Sequence, residues 1–119
     1  MLIRYKKTYE KIAMGLLSFM PNEKNVKSLV NTIKDYETKD DNHLFLWKLD
    51  DIVGIIGIQI LPDKVIMIKH LSVNPSFRNQ GIATSLYDAI RSQYTDYTIV
   101  TTQEVASFIE HCHVSLKVL

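Results

Sequence analysis

Residues 78–84 read Arg-Asn-Gln-Gly-Ile-Ala-Thr, an arginine, a glycine and a small residue set just ahead of an apolar repeat. Ile82, Leu86, Ile90 and Tyr94 lie four apart with Ala83, Tyr87 and Ala89 beside them, so a helix is expected to begin near Ile82. The first N–H groups of a helix have no partner inside it, and with the helix dipole they make an anion site that needs no formal charge. The amides of Asn79, Gln80, Gly81, Ile82 and Ala83 follow one another closely there and can curl into a concave nest for a phosphate oxygen. A β-carbon at Gly81 would hold the anion away from those amides, and Ala83 is small for the same reason. Arg78 can add a charge-assisted contact, and Thr84 and Ser85 offer hydroxyls. At about 1.5–3 kcal/mol for each hydrogen bond to a charged group, three or four would hold a diphosphate.

A lone glycine ahead of a helix is more often a turn than a site. Here Asn74 and Pro75 already supply a turn several residues earlier, and the loop is longer than that turn requires. The segment is not a Walker loop, since no Gly-Lys-Ser/Thr follows. It is not the dinucleotide fingerprint either, because the G-x-G-x-x-G spacing is missing.

The elements that must position this loop follow from periodicity. Leu2 to Tyr5 reads as a short opening strand. Thr8 is expected to cap a helix whose apolar face is Ile12, Ala13, Leu16 and Leu17, and Pro21-Asn22 breaks it. Val26, Leu29, Val30, Ile33 and Tyr36 recur at helical spacing in a second helix that fades into "ETKDDN". Strands are expected at 43–49, 52–61 and 64–73, with turns at Asp50-Asp51 and Pro62-Asp63. The run "IVGIIGIQIL" is apolar on both sides of the pleat, which implies a central strand covered on both faces. After the helix near Ile82 come a strand at 97–101, a helix at 103–112 and the start of one last strand in "HVSLKVL". The order β-α-α-β-β-β-α-β-α-(β) gives a mixed α/β fold: a mostly antiparallel central sheet, helices on both faces and one helical crossover. Trp47 reads as core, and Met14, Phe19, Met20 and Tyr36 as core or cleft lining.

Bulk properties bound the rest. At 119 residues, 46% of them hydrophobic and 23% charged, the chain suits one domain, 1–119. A net charge of +1 gives no long-range field for nucleic acid or an anionic membrane, so any phosphate binding must be local. The longest apolar run is about half of what a bilayer span needs. The charged N-terminus does not suit a signal peptide, and the single Cys112 fits a reducing cytoplasm. In "HCH" (111–113) the ligands are adjacent and unlike the spacing of zinc sites, so no metal is expected.

The stretch "LSVNPSFRNQGIATSLYDAI" resembles the acetyl-CoA-binding segment of the GNAT N-acetyltransferases, Arg/Gln-x-x-Gly-x-Gly/Ala after a strand reading Leu-x-Val-x-Pro. Arg78, Gly81 and Ala83 fill the fixed positions, with Leu71, Val73 and Pro75 as the lead-in, and the element order is also that of the family. At this length the sequence is similar in particular to the GNAT-like proteins encoded with riboflavin-biosynthesis enzymes in bacilli, which implies a link to riboflavin metabolism. The resemblance implies acetyl-CoA as cosubstrate, with its diphosphate on residues 78–84 and main-chain groups of Leu71 and Val73 pairing with the pantetheine amides. It implies a fork between the strand ending at Val73 and "YTIVT", with the thioester carbonyl polarised by a backbone N–H and a neutral amine attacking directly.

The chain departs from the family pattern in three places. Where many members carry a carboxylate base it has Met67 and Lys69. His70 lies between Lys69 and Leu71; alternation turns it to the opposite face unless the strand bulges, so it reads first as a core or surface histidine and second as a base. Where many members carry a tyrosine acid it has "FIEHCHV", with Ile109 or Glu110 in that place and His111 as an alternative donor. The terminal hairpin is truncated, which would open the acceptor side or leave it to a partner subunit, so the protein is expected as a monomer or a homodimer. The implied function is acetyl transfer from acetyl-CoA to a small amine. The alternative is a catalytically weak or inactive CoA-binding module with a regulatory or partner-assisting role.

Overall fold

Ile52 to Ile58 are buried without interruption, as a strand apolar on both sides of its pleat must be. In a computed structural model of the chain, which describes residues 1–21, 23, 25–109 and 117–118, this strand lies inside one six-stranded sheet. The strands are β1 (Leu2–Arg4), β2 (Asn42–Lys48), β3 (Ile52–Leu61), β4 (Val65–Val73), β5 (Thr98–Thr101) and β6 (Lys117–Val118), and they lie side by side in chain order. The first four are antiparallel; β5 and β6 then add in parallel. Asp63 and Lys64 take left-handed backbone angles (φ 63° and 57°) in the turn between β3 and β4. No antiparallel hairpin follows β5 among the described residues.

Helices α1 (Glu10–Leu17) and α2 (Val26–Thr38) cover one face. Their Ala13, Leu16, Leu17, Leu29 and Ile33 pack on Leu44, Leu46 and Ile55. Helix α3 (Ile82–Gln93) is the crossover between β4 and β5 and covers the other face, where Ile82, Leu86 and Ile90 meet Phe45, Ile56, Ile58, Ile66, Ile68 and Leu71. Helix α4 (Gln103–Ile109) follows β5.

One local expectation is corrected. Thr8 caps nothing: it sits inside a 3₁₀ turn, Lys7–Tyr9, that runs directly into α1. Helix α2 is capped by Asn25, whose Oδ1 accepts from the Ser28 N–H at 2.8 Å. Val26 and Val30 face outward (69% and 49% exposed), because only the stripe Leu29, Ile33 and Tyr36 meets the sheet. Phe19 is also exposed and is not core.

The feature that decides the site is a bulge in β4. Gly57 of β3 pairs with His70, and Ile58 pairs with Ile68, so Lys69 has no opposite number. One extra residue changes the phase of alternation. Ile66 and Ile68 before the bulge, and Leu71 and Val73 after it, all enter the core under α3. Lys69 and His70 consequently share the α2 face, where both approach the Tyr36 ring.

Candidate functional site

Beyond the bulge β4 also loses its other neighbour. The ladder to β5 ends at the pair Ile68–Thr101, and the Thr102 N–H donates to the Ile68 carbonyl at 3.2 Å. From Lys69 to Val73 the β5-side edge of β4 carries no strand among the described residues. Leu71 and Val73 lie on this open stretch and pair on their other side with Ile56 and Gly54.

The open edge leads into the arginine-glycine loop. Asn74 ties the loop down twice: its N–H donates to the Val53 carbonyl at 2.8 Å, and its Oδ1 accepts from the Ser76 N–H at 2.9 Å to cap a 3₁₀ turn, Pro75–Phe77. Asn79 and Gly81 both have left-handed backbones (φ 66° and 76°), with Gln80 between them. Such alternation turns successive amides to one side, and glycine takes the conformation without strain. Gly81 is the N-cap of α3; its carbonyl accepts from the Ser85 N–H at 2.9 Å. The amides of Ile82, Ala83 and Thr84 are therefore the first-turn donors, and no acidic side chain occupies that turn. Arg78 folds back on β4: its Nε donates to the Val73 carbonyl at 3.1 Å, and its guanidinium stands 5.7 Å from the Phe19 ring centre. All seven residues of the anticipated anion loop are thus gathered at one end of one helix, continuous with the open edge.

On the α2 side of the bulge lies a cavity of about 250 Å³ lined by Glu23, Thr32, Asp35, Tyr36, Lys69, His70 and Thr102. His70 is 7% exposed and Glu23 is 5% exposed. The His70 ring is held from both ends, with Nδ1 2.6 Å from the Tyr36 hydroxyl and Nε2 3.2 Å from Oε1 of Glu23. The Glu23 carboxylate also accepts from the Ser28 and Thr32 hydroxyls, each at 2.8 Å. Burial pushes the Glu23 carboxyl up, but hydrogen bonds from His70, Thr32 and Ser28 outweigh it and hold the group below its ordinary range. Burial, helped by the charges of Glu23 and Asp35, pushes the Tyr36 phenol well above its ordinary value. Burial also lowers the Lys69 ammonium, whose Nζ donates to Asn42 Oδ1 at 3.2 Å.

The acetyltransferase (GNAT) family profile matches residues 9–107, a span that takes in the bulge, the fork and the loop. The chain belongs to that family. A GNAT protein's reaction is acetyl transfer, with acetyl-CoA as the cosubstrate, and the present chain is an N-acetyltransferase in that sense. It is 53% identical over 115 residues, 96% of each chain, to a Bacillus methanolicus protein named an uncharacterized N-acetyltransferase in the lysA 3' region. Among solved structures it is similar to AAC(6')-Iy in complex with the bisubstrate analogue CoA-S-monomethyl-acetylneamine, with TM-score 0.75, 15% identity and coverage of 97% of this chain and 90% of that one. It is also similar to a GNAT acetyltransferase from Staphylococcus aureus Mu50, with TM-score 0.67, 21% identity and coverage of 93% and 81%.

Within this GNAT fold, His70 is the residue whose expected position changes most. The bulge that sequence alternation left open is present, so His70 faces neither solvent nor the apolar core but a polar cavity at the fork. Glu110 and His111, with the rest of "HCH", lie outside the described residues. Among the described residues no group of His, Cys, Asp and Glu could hold a metal ion, and no helix is long and apolar enough to cross a membrane. Glu23 was not singled out in the sequence, whereas Tyr36, read as core or cleft lining, is both buried and part of the cavity wall. A signal for the bulge was present. The apolar phase of "IMIKHLSV" runs Ile66, Ile68 and then Leu71, Val73, an even-to-odd change that only an extra residue accommodates.

Proposed function

We propose that this protein transfers the acetyl group of acetyl-CoA directly to a small primary amine. The diphosphate is bound by the amides of Asn79, Gln80, Gly81, Ile82 and Ala83, with Thr84 and the Arg78 guanidinium completing the site. The pantetheine arm lies along the open edge of β4, where main-chain groups of Leu71 and Val73 pair with its amides. Arg78 leaves the Val73 carbonyl as it turns to the phosphates, which frees that carbonyl for the arm. The thioester then reaches the bulge, beside the cavity of about 250 Å³, and that volume suits a small acceptor better than a folded partner.

One observation carries this reading. The anion loop, the unpaired edge and the polar cavity are contiguous, in the order in which the diphosphate, the pantetheine and the thioester follow one another in acetyl-CoA. Holding amine and thioester together at such a fork supplies much of the acceleration by itself. The reaction needs no metal in its chemistry, since a neutral amine attacks an activated ester. The lone Cys112 supports a cytoplasmic site of action, and the link to riboflavin metabolism is carried by the family resemblance.

The test is release of free CoA thiol from acetyl-CoA in the presence of an amine panel that includes the amines of riboflavin biosynthesis. Amine-dependent release supports transfer. Tight CoA binding without release for any amine would instead support a binding module.

A further inference from the structure

The protonation of the buried Glu23–His70–Tyr36 chain can be worked out from its acceptors. An ionised carboxylate only accepts hydrogen bonds, so the His70 nitrogen facing Glu23 must carry a hydrogen. In its neutral form the His70 ring has one N–H, which faces Glu23 on Nε2 and leaves Nδ1 with a lone pair. The Tyr36 hydroxyl, 2.6 Å from Nδ1, must then be the donor in that bond. His70 has no lone pair left for a substrate. The Tyr36 oxygen does, since among the described residues no group donates to it.

From this tautomer the geometry points to Tyr36, and not His70, as the group that takes the proton from the attacking amine, with His70 and Glu23 acting through it. The inference rests on the acetyl-transfer reading and adds to it the missing base. The amine nitrogen attacks the thioester carbonyl carbon, the N–C bond forms, and the carbonyl π pair moves onto oxygen. The nitrogen, now positively charged, gives a proton to the phenol oxygen while the phenol's own proton passes to Nδ1. The C–O double bond re-forms, the C–S bond breaks and its electron pair leaves on CoA sulfur. The imidazolium so produced is held by Glu23 and donates from both nitrogens, which turns the phenol O–H outward. The oxygen that accepted a proton can then return one, to the thiolate or to water, so the transfer is balanced and the relay is reset. One chain of three residues thereby serves as base and then as acid, in a protein that has Met67 and Lys69 at the two places where a carboxylate base was sought.

A purely structural role for the three residues, pinning the α1–α2 connection to β4, predicts different results. Two measurements on the full chain separate the roles. Nitrogen NMR of ¹⁵N-histidine-labelled protein near neutral pH should show His70 as the neutral Nε2–H tautomer; an Nδ1–H tautomer or a doubly protonated ring overturns the inference whatever the activity. In thiol-release kinetics, Tyr36→Phe keeps the ring and removes the oxygen. It should lower kcat by about a hundredfold or more, the scale of general acid–base catalysis, with KM for acetyl-CoA within about twofold. Glu23→Gln can donate from its amide to Nε2 and so permits the Nδ1–H tautomer. It should show that tautomer together with a comparable loss in kcat, and the double variant should be no worse than either single one. Full turnover by a folded Tyr36→Phe protein overturns the inference and leaves the acetyl-transfer reading standing. Absence of wild-type turnover with every amine overturns both.

Discussion

Gly57 faces His70 across the β3–β4 ladder, and the Tyr36 hydroxyl occupies the place where a β-carbon on Gly57 would stand. The glycine is therefore a steric requirement of the site. It lets a phenol from α2 lie flat enough on the sheet to reach the histidine on the neighbouring strand. Gly57→Ala should push Tyr36 off the sheet and break its bond to Nδ1, with a cost on the scale of overpacking, about 1–3 kcal/mol. Urea unfolding checks this, and an unchanged midpoint and slope would contradict it.

The buried carboxylate gives a stability signature in acid. Glu23 has a depressed folded-state pKa, so below its ordinary value the unfolded chain binds the proton more readily. Its contribution is present above pH 4.5 and is lost as pH falls from there through the folded value. The wild type should accordingly lose stability steeply below that pH, and Glu23→Gln should lose less over the same range. Parallel acid limbs in chemical denaturation at a series of pH values would show that Glu23 is not the group responsible.

Gly81 is constrained by its backbone conformation, not by space. A β-carbon there would meet no protein atom within 4 Å, yet the backbone φ is 76°. Gly81→Val should keep the fold with a loss of about 1–2 kcal/mol, the cost of a left-handed residue with a side chain. It should lose CoA binding, because the new side chain stands over the amides proposed for the diphosphate. Calorimetric titration with CoA checks both parts, and wild-type affinity in a folded variant would remove Gly81 from the account.

Two hydroxyls near the fork make a prediction of opposite sign. Ser72 Oγ and Thr101 Oγ1 are buried without a hydrogen-bond partner among the described residues. Replacing an unpartnered polar atom by an apolar group of similar shape relieves its desolvation. Ser72→Ala and Thr101→Val should each raise stability by about 1 kcal/mol in thermal or urea unfolding. A loss of similar size would mean that each oxygen has a partner in solution.

The sequence was most legible where local rules act alone. The double-sided apolar run of β3, the helical repeat from Ile82 to Ile90 and the turn at Asn74-Pro75 all appear where periodicity and turn chemistry put them. The loop ahead of α3 was legible because Gly81, which takes the left-handed turn at the helix N-cap, marks it in the sequence. The acid–base part was not, because Glu23, Tyr36 and His70 meet only through tertiary packing. Glu23 and His70 are 47 positions apart, and Tyr36 and His70 are 34 apart. The second helix was legible from the spacing of Val26, Leu29, Val30, Ile33 and Tyr36, but spacing alone does not say how much of that stripe the sheet is wide enough to cover.

The most direct test of the central claim is a crystal structure of the chain with CoA. Bound CoA should have its diphosphate within hydrogen-bond distance of the main-chain amides between Asn79 and Ala83, its pantetheine beside Leu71 and Val73, and its sulfur at the bulge near Tyr36. A diphosphate bound elsewhere on the protein, or a pantetheine arm that leaves the open edge of β4 untouched, would contradict it.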